Sequence, residues 1–269
     1  MPIRYLEGIG VPTPYVLVLF QLLPALALIP FLFRKTRFNR NELIPLITVG
    51  FFMGAGFVLY SLGLAIGTVT KTVVLFYMTP IWSTIVAYFF LSERPNILRW
   101  FAIFFAILGC VLVTGLNFLS LSFDVSDLLG VGSGLFWAIG SVGIRRYPEL
   151  SFLQITFAQY CIGGSMAFLA AVIVGTSVPD TNIFFHAVIV TFVVSVVIFL
   201  PTALLIFRAM QYVSPGLVGI LMLSEVVVAA ISASLFLGEI LSNEQWLGVL
   251  IVLATGVFIG LSDGVQNKG

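Results

Sequence analysis

The chain predicts an all-α membrane protein, a polytopic helical bundle built from two related halves. Three observations predict it. Hydrophobic residues make up 60% and charged residues only 9% of 269 residues, with a mean hydropathy of +1.17. A soluble domain averages about 25% charged residues, so the solvent of this surface is lipid. Second, the apolar residues fall into evenly spaced stretches of about 20, the length that crosses a bilayer core. Third, the segment Ser61–Trp100 aligns without a gap on Phe207–Trp246, placing Thr68 on Ser214, Thr79 on Glu225, Leu91 on Leu237, Glu93 on Glu239 and Trp100 on Trp246.

Nine spans are expected, at about 11–34, 43–66, 72–92, 97–116, 126–144, 151–175, 183–207, 214–238 and 244–263. Short connections rich in Pro, Asn, Asp and charge separate them, so nearly every backbone group at membrane depth bonds within its own helix. Pro24, Pro80 and Pro201 fall inside spans and are expected to kink them. Gly50 with Gly54, Gly63 with Gly67, and Gly130 with Gly134 keep small residues four apart, a spacing that lets helix backbones approach closely. Gly130-Val131-Gly132-Ser133-Gly134 is no nucleotide loop, since no strand precedes it and no Gly-Lys-Ser/Thr follows.

Lys and Arg set the expected orientation. Arg34, Lys35, Arg37, Arg40, Arg94, Arg99, Arg145, Arg146, Arg208 and Lys268 fall on one side; only Arg4 and Lys71 fall on the other. The Arg-rich side is the expected cytoplasm, with the C-terminus inside, in a bacterial cytoplasmic membrane. The second half holds five spans and the first four. Arg146-Tyr147-Pro148-Glu149 resembles Arg4-Tyr5-Leu6-Glu7, and Gln159 pairs with Gln21. The expectation is nine helices of an original ten, a first repeat over 1–118 without its first helix and a second over 119–269. An odd number of spans per repeat inverts one repeat relative to the other.

Composition also excludes. A net charge of +1 gives no nucleic-acid footprint. Cys110, Cys161 and the single His186 form no metal-ligand spacing, so neither metal nor cofactor is expected. The lipid bilayer is the expected partner; the sequence carries no sign of oligomeric state.

Leu75-Phe76-Tyr77-Met78-Thr79-Pro80-Ile81-Trp82 running on to Ser92-Glu93-Arg94, and Leu223-Ser224-Glu225 running on to Leu237-Gly238-Glu239, resemble the EamA-type members of the drug/metabolite transporter superfamily. The shared signals are an apolar helix ending in Gly/Ser-Glu, a Trp seven residues later and a Gly-rich final helix. Asp127-Leu128-Leu129 with Trp137-Ala138 looks like the opening helix of the second repeat. The resemblance covers essentially the whole chain and implies ten-helix exporters of small metabolites, amino acids or drugs. It also implies that the absent first helix would line the cavity.

Glu225 is the most informative polar residue, about eleven residues into its span. A carboxylate there costs a few kcal/mol unless protonated or paired. It is expected either to couple protons or anchor a substrate amine, or to be a structural acid bonded through hydroxyls such as that of Ser224. Thr79, followed by Pro80, holds the matched position in the first repeat. Lys71 stands at the mouth of the span 72–92, as an attractor of anionic groups or, in the favoured reading, as an interfacial lysine whose stem snorkels along the helix end. Gln21 and Gln159 read equally as cavity lining and as interhelical glue. Tyr77, Trp82, Phe136 and Trp137 are candidates to stack on a substrate, with packing or interface anchoring as the plainer alternative. Glu93 and Glu239 are expected as wetted cap or loop charges, with a gating ion pair as the sharper reading.

The leading expectation is a secondary transporter, probing each face alternately from a midplane site between two repeats. No ATP-binding motif is present, so an ion or substrate gradient would drive it. The alternatives are a non-transporting, shortened or regulatory membrane protein, and an intramembrane enzyme. The last requires paired Asp, a Ser–His pair or a metal cluster at membrane depth, and the sequence has no mid-span Asp.

Overall fold

Without water to bond backbone groups, a chain of this composition closes its hydrogen bonds inside helices. The computed structural model describes residues 2–35, 40–67, 69–115, 124–175, 180–237 and 241–266, and these are helical nearly throughout, with no strand among them. The expectations placed on Arg37, Thr68, Gly238, Glu239 and Lys268 lie outside the described residues. In order the helices are α1 (Pro2–Gly8), α2 (Thr13–Lys35), α3 (Leu43–Ile66), α4 (Val69–Phe76), α5 (Thr79–Leu91), α6 (Ile97–Thr114), α7 (Val125–Arg146), α8 (Phe152–Val174), α9 (Thr181–Phe192), α10 (Leu200–Met210), α11 (Pro215–Met222), α12 (Ser224–Leu237) and α13 (Asn243–Gln266). A π-helical turn, Val193–Phe199, joins α9 to α10.

Among the described residues, seven of the helical stretches are long and apolar enough to cross a membrane, and Pro215–Val228 and Asn243–Ile259 are shorter apolar helices where the last two spans were expected. Side chains such as Ile44, Phe89, Ile173 and Leu235 stand more than two-thirds exposed on the helix exteriors. An apolar exterior of this extent would aggregate in water and is at home in lipid. The molecule is an all-α polytopic membrane bundle.

Two units divide it, and each draws on both halves of the sequence: residues 1–61 with 139–212, and residues 62–138 with 213–269. In the first unit α2 packs along α8 and against α9. Leu6, Val16, Phe20 and Ala187 form one core cluster, and Ala25, Leu28, Leu32, Tyr160 and Leu200 another. The expected close approach is present. A Cβ on Gly54 would stand 2.9 Å from the Gln159 carbonyl, and one on Gly50 2.8 Å from Ala158 Cβ. At the end of this unit Arg145 donates to the Gln211 carbonyl, and the Gln211 amide donates to the Leu150 carbonyl at 2.6 Å.

In the second unit α6 packs along α13, and α5 against α11. Gly109 and Gly248 face each other so closely that a Cβ on either would lie under 3.0 Å from the other's carbonyl oxygen. The remaining glycine pairs serve α4, where Gly63 meets Thr72, Gly130 meets Leu75 and Gly134 meets the Phe76 carbonyl.

The three prolines act differently. Pro24 sits inside an uninterrupted α2. Pro201 follows the π-helical turn, in which the Leu200 N–H reaches back five residues to the Ser195 carbonyl. Pro80 sits at the start of α5, after a full break. A proline lacks the N–H that would serve the carbonyl four residues earlier. For Pro80 that carbonyl is Phe76's, and the Thr79 hydroxyl bonds it at 2.5 Å instead.

Candidate functional site

The expected span 72–92 is two helices, α4 and α5, and the expected span 214–238 is likewise two, α11 and α12. Their breaks match. The Met78 N–H bonds the Leu75 carbonyl and the Ile81 N–H bonds the Met78 carbonyl. At the other break Leu223 bonds Ile220, and Val226 bonds Leu223, with the same three-residue reach. A side-chain hydroxyl serves a freed carbonyl at each: Thr79 to Phe76, and Ser224 to Leu221 at 2.7 Å. Both breaks lie in the second unit.

Glu225 occupies the first turn of α12. An acidic side chain is favoured there, because the free N–H groups of a helix start carry partial positive charge. The Tyr77 hydroxyl, from the other break, hydrogen-bonds to Glu225. Glu225 itself is exposed, whereas Tyr77 and Thr79 are buried. The Phe76 ring lies edge-on to both Tyr77 (5.5 Å) and Trp137 (6.2 Å). The two breaks thus join through a carboxylate and a phenol backed by an aromatic wall. Such a group can hold a proton or an organic cation beside apolar surface. Trp82 is half-buried, and its buried indole N–H has no partner among the described residues. Ser224, expected as a hydroxyl partner for Glu225, bonds backbone instead.

The snorkelling expected of Lys71 is overturned. Lys71 is buried and its ammonium lies 2.5 Å from Asp127 Oδ2, with Asp127 fully buried. The reason is geometric: the Gly63–Gly67 and Gly130 contacts bring α4 and the start of α7 too close for the lysine stem to escape. Asp127 also accepts the Asp124 N–H, while its Oδ1 has no partner among the described residues. Asp124, outside the span, accepts from the Ser126 hydroxyl, which holds its carboxyl below the ordinary carboxylate value. Sequence reading missed Asp127 as a partner, since it lies far from Lys71 in sequence and next to another acid. Its place in the first turn of an apolar helix was the available signal.

Gln21 and Gln159 lie in the first unit, both buried, the Gln159 amide donating to Gln21 Oε1 at 3.3 Å. Glu93 is paired with Arg99 at 3.6 Å, and Arg99 also donates to the Ser214 hydroxyl at 3.1 Å. The Arg99–Ser214 bond ties the start of α6 to the start of α11. Tyr5 meets His186 at 3.3 Å, so the lone histidine contacts a phenol. Among the described residues no cluster of His, Cys, Asp or Glu suits a metal ion.

Duplicated broken spans in an all-helical apolar bundle define a membrane protein of the transporter type. Residues 10–115 and 125–261 each match the model of the EamA-like transporter family, and the chain belongs to that family. An uncharacterized transporter, YxxF, of Bacillus subtilis (strain 168) is 21% identical over 242 residues, covering 82% of this chain and 71% of that protein. A solved crystal structure superposes with a TM-score of 0.72 at 15% identity, over 92% of this chain and 88% of its own, which shows the shared fold. The protein is a membrane transporter.

Proposed function

We propose that the chain is a secondary active exporter of small organic metabolites, such as amino acids or drugs, working by alternating access between two inverted repeats over about 1–118 and 119–269, the first with four spans and the second with five. The observation that carries this reading is the pair of matched helix breaks linked by Tyr77 and Glu225. Discontinuous helices in equivalent positions of two repeats mark the binding region of many secondary transporters. Glu225 is the anchor, either for a proton or for the amine of the substrate. Tyr77 orients it, Trp137 forms the wall through Phe76, and Thr79 keeps the break closed. Lys71 and the Gln21–Gln159 pair hold helices in place. The excess of Lys and Arg on one side supports a cytoplasmic C-terminus.

Counterflow in proteoliposomes tests it. With a panel of amino acids, nucleosides and organic cations, the intact protein is expected to exchange at least one class. Glu225→Gln is expected to lower apparent affinity about 10- to 100-fold, the scale of one hydrogen bond to a charged group, and to flatten the pH dependence. Unchanged pH-dependent flux in Glu225→Gln would remove Glu225 from the mechanism.

A further inference from the structure

Two cavities on the second unit line up along the seam between α5 and α6. The first, of 480 Å³, is lined by Thr84, Ile85, Tyr88, Phe89, Arg94, Pro95 and Trp100. The second, of 430 Å³, shares Trp100 and continues past Ile81, Ile103, Phe104 and Ile107 to Met78 and Val111. The polar groups are confined to one end. Arg94 is exposed there, beside the phenol of Tyr88 and the indole of Trp100, and the rest of the trough is apolar. Thr84, which lines the first cavity, is buried with a hydroxyl that has no partner among the described residues.

Charge and length select an occupant. Arg99 is already held by Glu93 and Ser214. Among the described residues Arg94 has no carboxylate partner, so the open cation at the mouth calls for an anion. Trp100 and Val111 are eleven residues apart, about 16 Å along a helix, and half of a hydrocarbon core is about 15 Å. Tyr and Trp at the charged end are the residues that mark the headgroup level. We infer that this trough is a binding site for one anionic phospholipid, its phosphate on Arg94 and an acyl chain along α6 as far as the α4–α5 break at Met78. A lipid seated there touches one side of that break, so its occupancy would bias the hinge while leaving Glu225 untouched. The site does not depend on the identity of the transported solute.

Delipidated full-length protein in detergent, followed by native mass spectrometry and thermal melting, tests the inference. Dioleoylphosphatidylglycerol is expected to add as one tightly retained molecule and to raise Tm. Dioleoylphosphatidylcholine is expected to bind about fivefold more weakly, the contribution of one basic residue at a lipid surface, and glycerol phosphate alone not to bind. Arg94→Gln, at an exposed position, should abolish the preference between the two lipids. Ile107→Trp should reduce retention of both while Tm without lipid is unchanged. Equal retention of the two lipids by the intact protein, or an undiminished preference in Arg94→Gln, would overturn the assignment. So would disulfide-linked dimers of Ile107→Cys forming in place of lipid binding, because a second copy would then own the trough.

Discussion

The broken span α4–α5 and the broken span α11–α12 share a backbone and differ in chemistry. Both stop at the same level of the repeat, and both close the gap with three-residue hydrogen bonds and a hydroxyl on a freed carbonyl. A proline follows the first break directly; none follows the second. Where the first turn of α4 carries the buried cation Lys71, the gapless alignment puts Leu217 in α11, buried and uncharged. Where the first turn of α12 carries Glu225, α5 opens with Thr79. The two spans share the fracture but not the ionisable groups. A proline is thus one route to the break and not a requirement for it.

The comparison can be broken at four points, beginning with the largest effect. Asp127→Asn takes away the nearer of the two carboxylates, Asp127 and Asp124, that act on the buried Lys71 ammonium and is expected to destabilise the protein by about 3–5 kcal/mol, read as lowered Tm in detergent. Replacing both partners by Lys71→Met with Asp127→Leu should restore most of it, since a buried pair and a well-packed apolar pair are often close in stability. An equally unstable double variant would show that the pair does more than neutralise itself.

The exchange Thr79→Glu with Glu225→Thr moves the acid from one break to the other. Because Tyr77 stands beside the first break and faces the second, the exchange is expected to lower solute affinity about 10- to 100-fold, read by counterflow. Equal activity would mean that the two breaks are interchangeable. Thr79→Val strips the Phe76 carbonyl of its partner in a buried setting and should destabilise by about 1–3 kcal/mol. Adding Pro80→Ala returns an N–H to that carbonyl and should suppress the loss, which thermal melting of the two variants checks. Ser224→Ala, at an exposed site, is expected to cost only about 0.5–1 kcal/mol. A larger loss there would make the second break the more fragile of the two.

Spans, repeat and glycine contacts were legible because lipid leaves few options. Apolar runs of fixed length read as helices, and Gly54 or Gly134 read as close approach. The break at Met78 was half legible, since Pro80 predicted a kink but not that the Thr79 hydroxyl would cap the carbonyl Pro80 leaves free. Leu223 carries no such signal, and that break is visible only by comparison with the first. Lys71 was misread because its surroundings were taken from its own helix, whereas its partner Asp127 comes from α7. The trough at Arg94 was illegible for the same reason: it depends on how α5 and α6 splay, which periodicity does not encode.

The inversion of the repeats is most directly tested by the two loops that follow the broken spans. With Cys110 and Cys161 replaced, single cysteines at Ser92 and Ser242 are labelled by an impermeant maleimide in oriented vesicles. Five spans lie between these sites, so the account predicts that one labels from outside and the other only after permeabilisation. Labelling of both from the same face would contradict it.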